Sequence, residues 1–271
     1  MLKILVIGGG ESKRIGPLLK SLSLDSRFDI EVIDPVYLKS FDDPQIIKSG
    51  FDISKSTIYM MRKLSLGEIG CTLAHNKARE YLTSFELGGV ILEDDARIPD
   101  LDYFYTSATS FLESFKNPSV LNFSSLRNIE NIRGNYMNVP SFQKRINHSP
   151  LTVGYVLNRS GAEMLSNTIY RQFYCSDWPF SKINKFVLST PAVAHGDLKT
   201  QSVIDPENLL DRNFKSWKMK YPKRLRLFSF YWYVKNRKTF ISLREYTNVM
   251  LLPRIFFLLS KVSSFFGATR G

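Results

Sequence analysis

Cysteine is scarce in this chain. Its 271 residues hold two, Cys71 and Cys175, each without a second cysteine nearby, which excludes a disulfide framework or a zinc cluster and fits a reducing compartment. Long apolar runs are missing too: Val249 to Phe266 is apolar but broken by Pro253, Arg254 and Lys261. No uninterrupted run approaches the roughly 20 residues that span a bilayer. The third glycine of the dinucleotide fingerprint is also lacking. Gly8-Gly9-Gly10-Glu11-Ser12-Lys13 supplies the first two, with Lys13 in the place of the third, which argues against NAD. Met1 to Ile7 is interrupted by Lys3, lacks a basic leader and runs straight into the glycines. It reads as a first strand, not a signal peptide, and the chain is expected to stay in the cytoplasm. With 44% hydrophobic and 13% aromatic residues, the chain can bury a sizeable core as one large domain or as one domain with an appendage.

Acids are almost absent from the end of the chain. From Arg212 to Gly271 there are fourteen Lys or Arg and one acid, Glu245, whereas residues 1–211 hold twenty-three bases and twenty-four acids. The formal charge of +12 therefore resides in the tail, and a split of this kind points to an anionic surface as partner. Lys215 to Lys238 interleaves basic residues with Trp217, Tyr221, Phe228, Phe230, Tyr231, Trp232 and Tyr233. That composition suits a segment lying on an anionic cytoplasmic leaflet; the other reading is a small helical subdomain packing its aromatics on the rest of the chain. Nucleic-acid binding uses the same ingredients, but no recognisable module is present and none is expected to bind. The expected division is an α/β domain over 1–211 and a basic, aromatic-rich helical segment over 212–271.

What the first part contains is organised around Gly88 to Ala96. The apolar run Val90-Ile91-Leu92, bounded by two glycines and by Glu93-Asp94-Asp95, predicts a buried strand that delivers carboxylates to its end. Open α/β sheets hold their ligands at such ends. Three adjacent carboxylates repel one another and resist desolvation, so a site built from them calls for a hard cation; a solvated acidic turn after a strand is the alternative. Upstream, Leu2 to Ile7 and Phe28 to Ile33 predict two strands joined by a helix over roughly Pro17 to Leu24, a βαβ opening. The turn after the first strand would let backbone amides approach a phosphate, with Lys13 and Arg14 placed to meet a diphosphate or simply solvated.

Ser65 with Glu68 three residues later predicts a capping box opening a helix to about Phe85. Gly67 and Gly70 in its first turns cost about 1 kcal/mol each relative to alanine if interior, so a close approach by a substrate or a neighbouring strand is expected there. His75 is either hydrogen-bonded within the fold or a substrate contact. Arg127 to His148 has no sustained period and reads as a long loop or a pair of short strands. Asn158 to Ala162 reads as a strand-to-helix turn. In Tyr174-Cys175-Ser176-Asp177-Trp178-Pro179, Asp177 offers a carboxylate beside Trp178, an aromatic face of the kind that stacks on sugars; a helix N-cap and a core tryptophan are the alternatives.

Leu64-Ser65-Leu66-Gly67-Glu68-Ile69-Gly70-Cys71-Thr72-Leu73-Ala74-His75 followed by Val90-Ile91-Leu92-Glu93-Asp94-Asp95-Ala96 resembles the signature of glycosyltransferase family 25, the lipooligosaccharide galactosyltransferases of Gram-negative bacteria and their collagen-modifying relatives. Arg14, Gly154-Tyr155-Val156-Leu157, Ser160-Gly161-Ala162, Asp177-Trp178, Pro191 and Ser202-Val203-Ile204 extend the resemblance over about residues 1–205. The departures are Ala74, where the family commonly has serine, and the triple-glycine opening. The resemblance implies a GT-A-like fold with a mixed sheet, a UDP-sugar donor and a divalent metal, manganese in most members. On this chain it makes Asp95 the direct metal ligand, Glu93 a contact to the metal's water shell or the donor's ribose, and Arg14, Gly67, Gly70, His75 and Asp94 donor-site residues. His195, at a predicted strand end, is a candidate further metal ligand, with a surface histidine as the alternative. If transfer is inverting, as the bacterial relatives suggest, one base suffices: Asp177 is the first choice, Asp197 the second, with Trp178 on the acceptor. The implied reaction moves galactose from UDP-galactose to a lipid-linked lipooligosaccharide core at the inner face of the cytoplasmic membrane. Another metal-dependent nucleoside-diphosphate enzyme and a non-catalytic membrane- or nucleic-acid-binding protein are the rivals.

Overall fold

A computed structural model describes residues 1–9, 12–60, 64–123, 140–145, 153–167, 172–173, 175–176 and 183–196. The chain divides between Trp217 and Lys218, and every described residue belongs to the first unit. Asp177, Trp178, Asp197 and the basic segment from 212 lie outside the described residues.

Strand β1 (Leu2–Ile7) is buried along its whole length, as a strand covered on both faces and flanked by parallel neighbours should be. Helix α1 (Ile15–Ser23) returns the chain to β2 (Phe28–Ile33), which pairs in parallel with β1. This is the expected βαβ opening, with α1 beginning two residues earlier than expected. Helices α2 (Pro44–Ser49) and α3 (Ile53–Met60) precede α4 (Leu66–Leu82), whose capping box is formed as expected: Ser65 Oγ accepts from the Glu68 amide and the Glu68 carboxylate accepts from the Ser65 amide. The helix stops at Leu82, and Phe85 belongs to the turn that follows.

Strand β3 (Gly88–Glu93) lies on the other side of β1 from β2, also parallel to it. After β4 (Ala96–Arg97), α5 (Leu101–Ser114), β5 (Ser119–Asn122), β6 (Phe142–Arg145), β7 (Gly154–Asn158), α6 (Arg159–Ser166), β8 (Asn184–Leu188) and β9 (Ala194–His195), the main sheet has, among the described residues, seven strands in the order β2-β1-β3-β7-β5-β8-β6, with β4-β9 as a separate pair. Strand β7 runs antiparallel to both β3 and β5, so the sheet is mixed. Strand β6, antiparallel to β8, falls within the stretch Arg127 to His148 read as a long loop or a pair of short strands; residues 127–139 and 146–148 lie outside the described residues.

Alternation sorts the side chains into two layers. Leu2, Ile4, Val6, Val90, Leu92 and Val156 pack with Ile15, Leu18 and Leu22 of α1 and with Phe104, Ala108 and Phe111 of α5. The opposite face of β1 and β3 is covered by α4 and α6, which also pack on each other. Asn158 closes β7 and caps α6: its Oδ1 accepts from the amides of Ser119 and Gly161, and its Nδ2 donates to the carbonyls of Phe115 and Asn117. That is the strand-to-helix turn read from the sequence. Among the described residues no helix is long and apolar enough to cross a membrane.

Candidate functional site

From β1 the chain crosses to β2 on one side and later returns to β3 on the other. The carboxyl ends of β1 and β3 therefore flank a topological switch point, the crevice where open α/β sheets bind ligands. Ile7 and Glu93 are partners in the register, so the glycine turn and the acidic triplet emerge side by side. A Cβ on Gly8 would lie 2.8 Å from Asp94 Cβ; glycine there lets the exit of β1 approach the acidic turn closely.

The triplet is held from both flanks. Ser12 Oγ donates to Asp94 Oδ2. Arg14 spans two carboxylates, with Nη2 2.9 Å from Asp94 and Nη1 3.3 Å from Asp95. These side chains are mostly buried, at 19%, 14% and 11% exposed for Arg14, Asp94 and Asp95. One guanidinium shared by two carboxylates leaves that trio net negative. On the far side, Ala96 pairs with His195, and the Gly196 amide donates to the Asp95 carbonyl at 2.7 Å. A Cβ on Gly196 would fall 2.7 Å from that carbonyl oxygen, so glycine permits this approach too. The fold thus brings residue 195 beside the triplet across a hundred residues of sequence; the His195 side chain lies outside the described residues. Carboxylate oxygens are ligands of the kind hard divalent cations accept, so Asp94 and Asp95 offer donors that fit such a cation at this strand end.

Glu93 turns the other way, onto α4. His75 is fully buried, with Nε2 3.0 Å from Glu93 Oε1 and Nδ1 3.0 Å from the Tyr155 hydroxyl. Arg79 donates through Nε to the same hydroxyl at 3.1 Å and through Nη2 to the Ser176 carbonyl. Burial pushes the Tyr155 phenol up to about 12, so it stays protonated through the neutral range. Cys71, one turn before His75, has its sulfur 3.5 Å from Ser176 Oγ. Cys71, His75 and Glu93 each offer one ligand atom, all within 4.8 Å of one another, a group that could hold a metal ion.

The glycines of α4 answer one question. A Cβ on Gly70 would lie 2.2 Å from the Val36 carbonyl oxygen, so the close approach expected there is made by the segment after β2. Gly67 stands half-buried in the first turn. Of the site residues read from sequence, Arg14, Glu93, Asp94 and Asp95 converge on one strand end with the backbone of His195, and His75 sits buried behind Glu93. Ser12, Arg79 and Tyr155 are additional participants. A signal for Arg79 was present: Cys71, His75 and Arg79 recur every four residues, a single stripe on one helix face. Tyr155 lies within a wholly buried strand and carried no such sign.

Carboxylates gathered at strand ends beside a topological switch point mark a candidate ligand site in a mixed α/β domain. The profile of glycosyltransferase family 25, described as an LPS biosynthesis protein family, matches residues 12–178, well over half the chain. The chain belongs to that family, which makes it a glycosyltransferase of lipopolysaccharide biosynthesis. No curated protein sequence matches it significantly. Among solved structures, the crystal structure of A197 from STIV is similar with 11% identity and a TM-score of 0.37, over 71% of this chain and 83% of that one; a likeness that low carries no argument.

Proposed function

We propose that the protein is a GT-A-like, metal-dependent galactosyltransferase that moves galactose from UDP-galactose onto a lipooligosaccharide core with inversion. The observation that carries this reading is the convergence of Asp95, Arg14 and residue 195 on the strand end at the switch point. Asp95 and His195 would hold the cation, with Glu93 toward its water shell or the donor's ribose and Arg14 and Asp94 shaping the diphosphate end. A divalent cation bound there would neutralise charge developing on the departing UDP. Buried carboxylates on a rigid strand end are pre-organised for that task and need little rearrangement when charge moves. In an inverting transfer the acceptor hydroxyl attacks the anomeric carbon from the face opposite the leaving UDP and loses its proton to one base, the role assigned to Asp177, with Trp178 against the acceptor sugar. The test is galactose transfer from UDP-galactose to a truncated lipooligosaccharide core with manganese present. Acceptor-dependent product supports the reading; acceptor-independent release of UDP alone would favour a nucleoside-diphosphate hydrolase.

The charge distribution supports a membrane-surface location for the same chemistry. Fourteen basic residues after position 211 with a single acid are drawn to anionic lipid by about 1 kcal/mol for each one near the surface. Removing residues 212–271 should therefore cut sedimentation with phosphatidylglycerol vesicles at least tenfold while metal-dependent UDP binding persists. Loss of both together would assign the tail to the fold of the catalytic unit instead.

A further inference from the structure

The hydrogen-bond directions behind Glu93 are determined by chemistry. Arg79 is a donor through every guanidinium nitrogen, so the Tyr155 oxygen accepts from its Nε at 3.1 Å. The neutral phenol then has one proton of its own to place, and among the described residues the acceptor within reach is His75 Nδ1 at 3.0 Å. Nδ1 must accept, and the imidazole proton must sit on Nε2, pointing at Glu93 Oε1 3.0 Å away. The reverse tautomer would set the lone pair of Nε2 against a carboxylate oxygen and leave the phenol proton without this acceptor. A ring with a proton on both nitrogens would strand the same phenol proton. Each alternative buries an unmet polar group, which folded interiors avoid.

We infer that Tyr155 and Arg79 are positioning residues that fix His75 as its Nε2–H tautomer, so that a buried neutral imidazole donates to Glu93 and sets the direction of that carboxylate at the strand end. The relay has a rigid base. His75 is fully buried, Tyr155 is 4% and Arg79 is 7% exposed, and the His75 and Tyr155 rings stack at 5.7 Å. Glu93, by contrast, keeps a quarter of its side chain exposed, so the end of the relay is the part that reaches toward a ligand. The inference deepens the proposed reaction by naming what aims Glu93, and it rests on that reading for its kinetic consequence, not for the tautomer.

The chain has three histidines, so the nitrogen-15 spectrum of the full-length protein labelled at histidine is simple, and His75→Gln identifies the His75 signals. The expected spectrum shows a protonated Nε2 and a bare, hydrogen-bonded Nδ1 in the wild type. Glu93→Gln should keep the same tautomer, because Tyr155 dictates it. Tyr155→Phe should lower kcat for transfer about 10- to 100-fold, the range seen when outer-shell partners are removed, and should shift the His75 Nδ1 signal to that of a nitrogen with no hydrogen bond. A proton on Nδ1 in the wild type, a doubly protonated ring, or a tautomer that flips in Glu93→Gln would overturn the inference, as would a folded Tyr155→Phe enzyme with wild-type kcat. If the wild type transfers no galactose, the proposed donor fails while the spectrum still decides the relay.

Discussion

Asp95→Ala is expected to lower galactose transfer by about 10³-fold or more, on the order of 4 kcal/mol of transition-state stabilisation, and to remove the metal dependence of UDP binding. The size follows from position. Asp95 is the acid nearest the β4–β9 pair, one residue from the register partner of His195, and 11% exposed. A carboxylate placed so is pre-oriented and largely shielded from water, where its attraction for a cation is strongest. The substitution should leave the fold in place. The hydrogen bond between the Gly196 amide and the Asp95 carbonyl uses backbone atoms, and so does the pairing of β4 with β9. Unchanged thermal melting together with lost transfer is the expected pattern; retained transfer with retained manganese dependence would move the metal elsewhere. Asp94→Ala should also loosen Ser12 and Arg14, both of which bond that carboxylate, so it would disturb the β1 exit as well as the charge.

Gly70→Ala should destabilise the protein by about 3 kcal/mol, the upper part of the range for forcing atoms into a packed site. Helix propensity alone predicts the opposite sign, a gain of about 1 kcal/mol. The contact that decides is backbone: the new methyl would sit 2.2 Å from the Val36 carbonyl oxygen and 3.4 Å from its carbon. Neither atom can rotate away, so α4 must shift from the segment after β2. That helix carries His75 and Arg79, and activity should fall with stability. A denaturant midpoint that falls in Gly70→Ala would bear out the packing account; a midpoint that rises by the helix-propensity gain would refute it.

Local signals carried much of the fold. The apolar runs of β1 and β3, the alternation in β2 and the Ser65–Glu68 box each encode their element within a few residues, and each is found where the pattern puts it. The acidic triplet was legible for the same reason, since strand, glycine bracket and carboxylates are contiguous. What joins Arg14, Asp95 and residue 195 is the sheet order and the β4–β9 pair, contacts across 81 and 99 residues that no local period records. Tyr155 was hidden differently. In a strand buried throughout, a tyrosine reads as core, and its hydroxyl acquires meaning once α4 lays His75 and Arg79 against it. Gly70 shows a half-legible case: its helical position announced a close approach, but the identity of the neighbour, the carbonyl of Val36, depended on how the segment after β2 crosses the helix.

Calorimetric titration of the full-length protein with UDP and UDP-galactose, with and without manganese, tests the central claim most directly. The account predicts tight binding with manganese, at least a tenfold loss without it, and the same loss in Asp95→Ala whether or not the metal is present. Equal binding of UDP in the presence and absence of manganese by wild type and variant alike would contradict it, and would make the acidic strand end a structural feature held by Ser12 and Arg14.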